Sequence, residues 1–187
     1  MKGDDYRFRS RMVINSAGLA ADAVAARAGL DIDACNCRLR LCKGSYFSYA
    51  KPSPVRTLVY PVPHEQLKGL GVHATLDLGG RLRFGPDAEY VDTIDYRVDP
   101  GKREDFSRAA LRIIPGLERN AFAPEMAGIR PKLSGPDEPA RDFIIREESA
   151  GGFEGLINLI GIESPGLTAS PAIARMVADM VRAVMGS

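Results

Sequence analysis

Apolar positions change rhythm along the chain. Arg11-Met12-Val13-Ile14-Asn15 is a short apolar run, followed by Ser16-Ala17-Gly18 and an alanine-rich stretch from Leu19 to Ala28 closed by Gly29. This order predicts a strand, a tight glycine turn and a helix with a glycine C-cap, the grammar of an α/β nucleotide-binding layer. From Asp31 to Asp99 the rhythm shortens. Alternating runs at Ser45 to Tyr49, Arg56 to Tyr60, Gly71 to Leu76 and Leu82 to Phe84 are separated by Pro52, Pro54, Pro61, Pro63 and Gly79-Gly80. That spacing predicts an antiparallel sheet with Leu78-Gly79-Gly80-Arg81 as a hairpin turn.

Asp99-Pro100 next offers an N-cap and a first-turn proline for a helix that carries Phe106, Ala109, Ala110, Ile113 and Ile114 toward a core and stops at Pro115. A helical region is expected before Gly128-Ile129-Arg130-Pro131, and a polar loop from Ser134 to Arg141 after it. Apolar runs at Asp142 to Arg146 and Leu156 to Ile160 read as strands. A helix beginning near Ser170-Pro171 has one apolar stripe through Ile173, Val177, Met180, Val181 and Val184. The fold class expected is α+β or α/β: a partial, Rossmann-like nucleotide-binding domain split by an inserted antiparallel-sheet domain. Its boundaries fall at residues 1–40, 41–125 and 126–187.

At 187 residues, with 45% apolar and 26% charged positions, the chain is long enough to bury a core unaided. Twenty-five Lys and Arg against 24 Asp and Glu leave a formal charge of +1, so no basic excess marks a nucleic-acid scaffold and no nucleic-acid partner is expected. No apolar run reaches the roughly 18 residues of a bilayer span, and Met1-Lys2-Gly3-Asp4-Asp5-Tyr6 lacks the apolar segment of a signal peptide. The expectation is a soluble, cytoplasmic protein, with peripheral attachment to a membrane as the alternative. Cys35, Cys37 and Cys42 lie within eight residues, and His64 and His73 are the only histidines. Without a second cysteine pair a zinc site lacks its ligands, so no metal is expected and the cysteines read as small buried apolar groups. Their odd number argues against a disulfide framework.

Three segments could carry chemistry. The stretch from Leu156 to Thr168 joins an apolar strand to the last helix through Gly161 and a Ser164-Pro165-Gly166 loop, which directs backbone N–H groups and the positive helix end outward. It serves equally as a tight turn with a good cap. In Gly128-Ile129-Arg130-Pro131 the proline holds the arginine extended, so its planar fork could grip a carboxylate at two points; a solvated or salt-bridged arginine is the alternative. Gly69-Leu70-Gly71-Val72-His73-Ala74 formally matches G-x-G-x-x-[GA], but a strand follows where a helix is required. His73 is either a satisfied core histidine or a proton acceptor. Glu147-Glu148 reads as a solvated strand edge.

Seven stretches in order are together more specific than any one of them. They are Val13 to Gly18, Lys43 to Phe47, Val59 to Pro63, Leu70 to Thr75, Phe84 to Ala88, Gly128 to Lys132 and Gly161 to Thr168. In this series the chain resembles the C-terminal half of the D-amino-acid-oxidase-like flavoproteins, most closely their L-2-hydroxyglutarate dehydrogenase/oxidase branch. The resemblance implies FAD as cofactor, with Ala17 and Gly18 near its adenosine side and Gly161, Ser164, Pro165, Gly166, Leu167 and Thr168 at the flavin. It implies that Arg130 and His73 face substrate as catalytic residues, with Tyr60 and Tyr46 beside them. The implied reaction is oxidation of a small 2-hydroxy acid such as L-2-hydroxyglutarate by hydride transfer to flavin. A glycine- or sarcosine-oxidase-like activity and a non-catalytic module are the alternatives.

Two residues depart from the family pattern: Lys43 stands where Arg is usual, and Asp87 where Asn is usual. The strand–G-x-G-x-x-G–helix unit with which family members begin is also not found. The expected partners are therefore a small carboxylate substrate and a separate N-terminal FAD-binding half, in cis or in trans. Self-association through exposed apolar surface is expected as well.

Overall fold

The computed structural model describes residues 9–62 and 71–186. His64 and the Gly69-Leu70 part of the glycine motif lie outside these residues, as does the N-terminal Met1-to-Tyr6 segment. In chain order the elements are β1 (Val13–Asn15), α1 (Ala21–Arg27), β2 (Arg40–Tyr49), β3 (His73–Leu76), β4 (Leu82–Gly85), β5 (Glu89–Val91), α2 (Arg103–Ile113), β6 (Phe122–Lys132), β7 (Ile144–Glu148), β8 (Phe153–Ile160) and α3 (Gly166–Met185). The fold is mixed α and β. The chain divides into two compact units: Arg40–Arg130 form one, and the stretches ending at Leu39 and starting at Pro131 together form the other.

The discontinuous unit is built on a three-stranded sheet in the order β1-β8-β7. β1 runs parallel to β8, with Val13 opposite Leu156 and Asn15 opposite Asn158, and β7 pairs antiparallel with β8. Strand alternation sorts the side chains of β8. Leu156 and Ile160 pack with Ala21 and Ala25 of α1 and with Leu30 and Leu133. Leu159 instead shares a cleft with Ile14 and with Ile173, Ala174 and Val177 of α3. A polar chain runs through the α1 side. Asn15 Nδ2 donates to the Ala21 carbonyl (2.7 Å) and to Asn158 Oδ1 (2.8 Å), and Asn158 Nδ2 donates to Glu148 Oε1 at 2.9 Å. Glu148 also receives Nε and Nη2 of Arg146, at 2.9 and 3.1 Å.

The continuous unit has a five-stranded sheet ordered β3-β4-β2-β5, with β6 also paired to β2. One sheet face carries Phe47, Tyr49, Ala74, Leu82 and Phe84, which pack with Phe106 and Ala110 of α2 and with Phe122. Phe47 and Phe106 lie 4.6 Å apart between ring centres. Asp99 caps the helical turn that leads into α2, its carboxylate accepting from Gly101 N at 2.8 Å, with Pro100 in the first turn as the sequence requires.

Several sequence expectations need correction. Arg56 to Tyr60 is not a strand; only Val59 bridges to Ala74, because flanking prolines withdraw the donors that a longer ladder would use. The region before Gly128 is the long strand β6, not a helix, and its Pro124 and Pro131 are absorbed in a sheet edge. The last helix starts at Gly166, with Pro171 inside it. Pro171 lacks the N–H that would bond the Leu167 carbonyl, and Ser170 Oγ donates to that carbonyl instead, at 2.8 Å. Glu148 is buried, not a solvated edge, because Arg146 and Asn158 satisfy it. Cys35 and Cys37 form a disulfide, while Cys42 is free and buried. Among the described residues no helix is long and apolar enough to cross a membrane.

Candidate functional site

The face of the continuous unit's sheet opposite α2 holds one group of the sequence-predicted residues. Alternation turns Tyr46, Ser48, His73, Thr75 and Arg83 away from the phenylalanine core. His73 sits across from Gly85 in the β3–β4 ladder. Gly85 has φ +146°, and a Cβ there would stand 2.7 Å from Cδ1 of Tyr46, so the absent side chain is where the tyrosine ring lies. Tyr60 covers His73 with ring centres 4.6 Å apart and planes inclined at 35°.

Arg130 enters the same cluster from β6. Its Nη2 donates to the Asp87 carbonyl at 3.1 Å and its Nη1 to Cys42 Sγ at 3.4 Å. Gly44 makes the approach possible, since a Cβ there would lie 2.6 Å from Nη2. Two of the guanidinium's five N–H groups are thus used to aim it, and the others have no hydrogen-bond partner among the described residues. Asp87 does more than lend a carbonyl. Its buried carboxylate accepts from Ser45 N at 2.6 Å and pairs with Lys102 at 2.7 Å, so the acid found where the family usually has Asn is neutralised locally. Lys43, where Arg is usual, is buried and donates to the Arg97 carbonyl.

Electrostatics ties these groups together. Burial lowers the His73 pKa below its ordinary value; a hydrogen bond to the Gly71 backbone opposes the shift, and the positive charge of Arg130 adds to it. His73 is therefore neutral near pH 7, with one ring nitrogen bonded to the Gly71 backbone and the other without a hydrogen-bond partner among the described residues. Burial raises the Tyr46 phenol pKa, against the opposing charges of Arg130 and Arg83. Arg83, which the sequence reading passed over, belongs to this face and pairs with Glu125 at 2.7 Å. Its only sequence signal was a charge alternating with Leu82 and Phe84.

The second set of predicted residues belongs to the discontinuous unit. Ser16 and Gly18, with Gly166 and Ser170 of α3, line a cleft of about 490 Å³ that also contains Ile14 and Leu159. The first turn of α3 holds no acid and its N-cap Pro165 supplies no side-chain bond. The amides of Leu167 and Thr168 find no acceptor among the described residues, and Leu167 is 91% exposed. An open helix N-terminus of this kind suits an electron-rich, partly anionic ligand edge. The sequence-predicted residues thus form two groups. His73, Tyr46, Tyr60 and Arg130 stand in the continuous unit, and Ala17, Gly18, Gly161 and Ser164 to Thr168 in the other. No three of the His, Cys, Asp and Glu side chains among the described residues are grouped to hold a metal ion.

The chain belongs to one class of protein, the FAD dependent oxidoreductases of the DAO family, whose model matches residues 2–180. The mitochondrial L-2-hydroxyglutarate dehydrogenase of Arabidopsis thaliana is 44% identical over 181 residues, which are 90% of this chain and 37% of that protein. The glycerol 3-phosphate dehydrogenase of Caloramator mitchellensis is 31% identical over 94% of this chain and 34% of its own length. Among solved structures, the dithionite-reduced, FAD-bound L-α-glycerophosphate oxidase of Mycoplasma pneumoniae superposes with a TM-score of 0.68 at 25% identity, over 97% of this chain and 45% of that one. The chain therefore spans about a third of the length of these two curated relatives.

Proposed function

We propose that this chain is the substrate-binding and flavin-covering portion of an FAD-dependent oxidoreductase that oxidises a small 2-hydroxy acid, with L-2-hydroxyglutarate as the first candidate. The supporting observation is the Arg130–His73 pair: a guanidinium aimed by Gly44, Cys42 and Asp87 whose charge bears on a histidine held neutral. The 44% identity to an L-2-hydroxyglutarate dehydrogenase favours that substrate over glycine or glycerol 3-phosphate. In this reading residues 1–40 and 126–187 belong to one FAD-binding domain, and residues 41–125 are a substrate domain inserted into it.

FAD, when bound, supplies the hydride acceptor. Ala17, Gly18, Gly161 and the Ser164 to Thr168 loop are the residues that would hold it. The open amides of α3 fit the flavin edge that gains negative charge on reduction. Arg130 holds the substrate carboxylate by the N–H groups that Asp87 and Cys42 leave free. The open imidazole nitrogen of His73 takes the hydroxyl proton as the C2 hydride departs, and Gly71 keeps the ring in the tautomer that can do so. Tyr46 and Tyr60 wall the reacting carbon and donate hydroxyl hydrogen bonds. The pyrophosphate of FAD requires a glycine turn at a helix N-terminus, which we assign to a separate half acting in cis or in trans.

A substrate panel on the FAD-loaded assembly tests this. Turnover of L-2-hydroxyglutarate above glycine, sarcosine and glycerol 3-phosphate is expected. Preference for an amine rejects the hydroxy-acid reading, and failure to acquire flavin with any partner half favours a non-catalytic module.

A further inference from the structure

The disulfide Cys35–Cys37 lies in the discontinuous unit and plays no part in the reading above. It closes a ring across a single intervening residue, Asn36, with the two Cα atoms 5.4 Å apart. So short a ring removes little chain entropy from the unfolded state, because the stabilisation grows with the length of the loop that is closed. The segment that carries it is already held by other bonds. Asp31 Oδ1 accepts from Asp33 N and Ala34 N at 3.1 and 3.0 Å. Cys35 N donates to the Asp31 carbonyl at 3.0 Å, and Cys37 N to the Ile32 carbonyl at 2.8 Å. A crosslink that adds little to a turn already closed is not explained by stability.

The two sulfurs have different surroundings. Cys35 is part-exposed and lines a cleft of about 620 Å³ that also contains Asp31, Arg146 and Glu147. Cys37 is fully buried, and Nη2 of Arg146 reaches its sulfur at 3.8 Å. Arg146 is itself fixed by the two-point bond to buried Glu148. One sulfur is thus open to attack, and the other has a guanidinium N–H positioned where a departing thiolate would carry its charge. In thiol–disulfide exchange the better-stabilised thiolate leaves faster.

We propose that Cys35 and Cys37 form a reversible thiol–disulfide site for low-molecular-weight thiols, entered at Cys35 with Cys37 as the leaving group. A thiolate RS⁻ attacks Cys35 Sγ. The Cys35–Cys37 bond breaks, and the electron pair departs on Cys37 Sγ beside Arg146 and is then protonated. A second thiolate attacks the R-group sulfur of that mixed disulfide, releasing RSSR and the Cys35 thiolate, which is then protonated. The two cysteines are reduced, two RSH are oxidised, and the reverse sequence restores the disulfide.

The test uses the folded chain in glutathione buffers of increasing reduced-to-oxidised ratio, quenched with acid, alkylated and read by intact mass. After denaturing alkylation, reduction should add two labels, at Cys35 and Cys37, with far-ultraviolet circular dichroism of the reduced chain unchanged before denaturation; oxidised glutathione should remove both. Without denaturation part-exposed Cys35 should label, with buried Cys37 and Cys42 protected. In Cys37→Ser the trapped glutathione adduct should map to Cys35. Arg146→Gln should slow reduction about threefold to tenfold while Arg146→Lys stays near wild type, as expected for lost leaving-group stabilisation. A disulfide that opens only when the chain unfolds is a structural staple and overturns the proposal. So does a pair of thiols that oxidised glutathione does not join, or reduction kinetics indifferent to Arg146→Gln.

Discussion

Arg130 is held between a carbonyl, a sulfur and an absent side chain, and both its fork and the space left for it can be tested. Arg130→Lys keeps the charge and loses the fork. A charge-assisted hydrogen bond is worth about 1.5–3 kcal/mol, so kcat/KM for a 2-hydroxy acid should fall roughly 10- to 150-fold with flavin content unchanged. Gly44→Ala places a Cβ 2.6 Å from Nη2 of Arg130 and 2.9 Å from Cβ of Pro86. It should raise KM and cost about 1–3 kcal/mol in urea unfolding, as overpacking does; an unchanged KM would detach Gly44 from the clamp. His73 gives a pH signature. Because its pKa is lowered, the base form persists below the ordinary histidine range, and the acid limb of kcat/KM should lie on the acid side of pH 6.5. Arg130→Gln removes a charge that depresses this pKa and should shift the limb to higher pH; His73→Asn should abolish it. Arg130 and His73 are legible in the sequence through their motifs. Cys42 and the Asp87 carbonyl are not, because backbone and sulfur acceptors leave no compositional mark.

Elements were legible where the pattern had one cause. Val13–Asn15 with its following helix, the turn at Leu78-Gly79-Gly80-Arg81, which Asp77 closes, and the Asp99-Pro100 helix start follow from alternation and turn chemistry. β6 was hidden because Ala, Glu, Met and two prolines suit neither template, and pairing with β2 supplies what propensity lacks. The start of α3 was displaced because a proline inside the helix imitates a proline at its first turn. In β8, Asn158 interrupts a hydrophobic run, and only the structure gives the reason: it joins Asn15 to Glu148. Asn158→Leu keeps the branched shape in a somewhat larger side chain and removes both links. Urea unfolding should register a loss of about 1–3 kcal/mol despite the more apolar residue, and a gain in stability would mean that the buried chain is dispensable.

At the scale of the molecule, the two units carry different parts of the proposed activity, and the discontinuous one has surface to cover. Among the described residues β1 is the end strand of its sheet, with Val13 and Ile14 51% and 46% exposed, and Met176 of α3 is 48% exposed. Sedimentation velocity of the chain alone should reveal association that grows with concentration and weakens in Ile14→Asp; a strict monomer throughout would count against an uncovered docking edge. No sequence signal announced the Cys35–Cys37 bond, since thiol pairing depends on loop geometry. The central claim is that this chain supplies substrate recognition to a flavin. The most direct measurement combines it with a pyrophosphate-binding half, loads FAD and adds L-2-hydroxyglutarate without oxygen while flavin absorbance is followed. Bleaching by L-2-hydroxyglutarate in the wild type, needing far more substrate in Arg130→Lys, is the predicted result. Bleaching that is unaltered by Arg130→Lys, or that only an amine substrate produces, would contradict it.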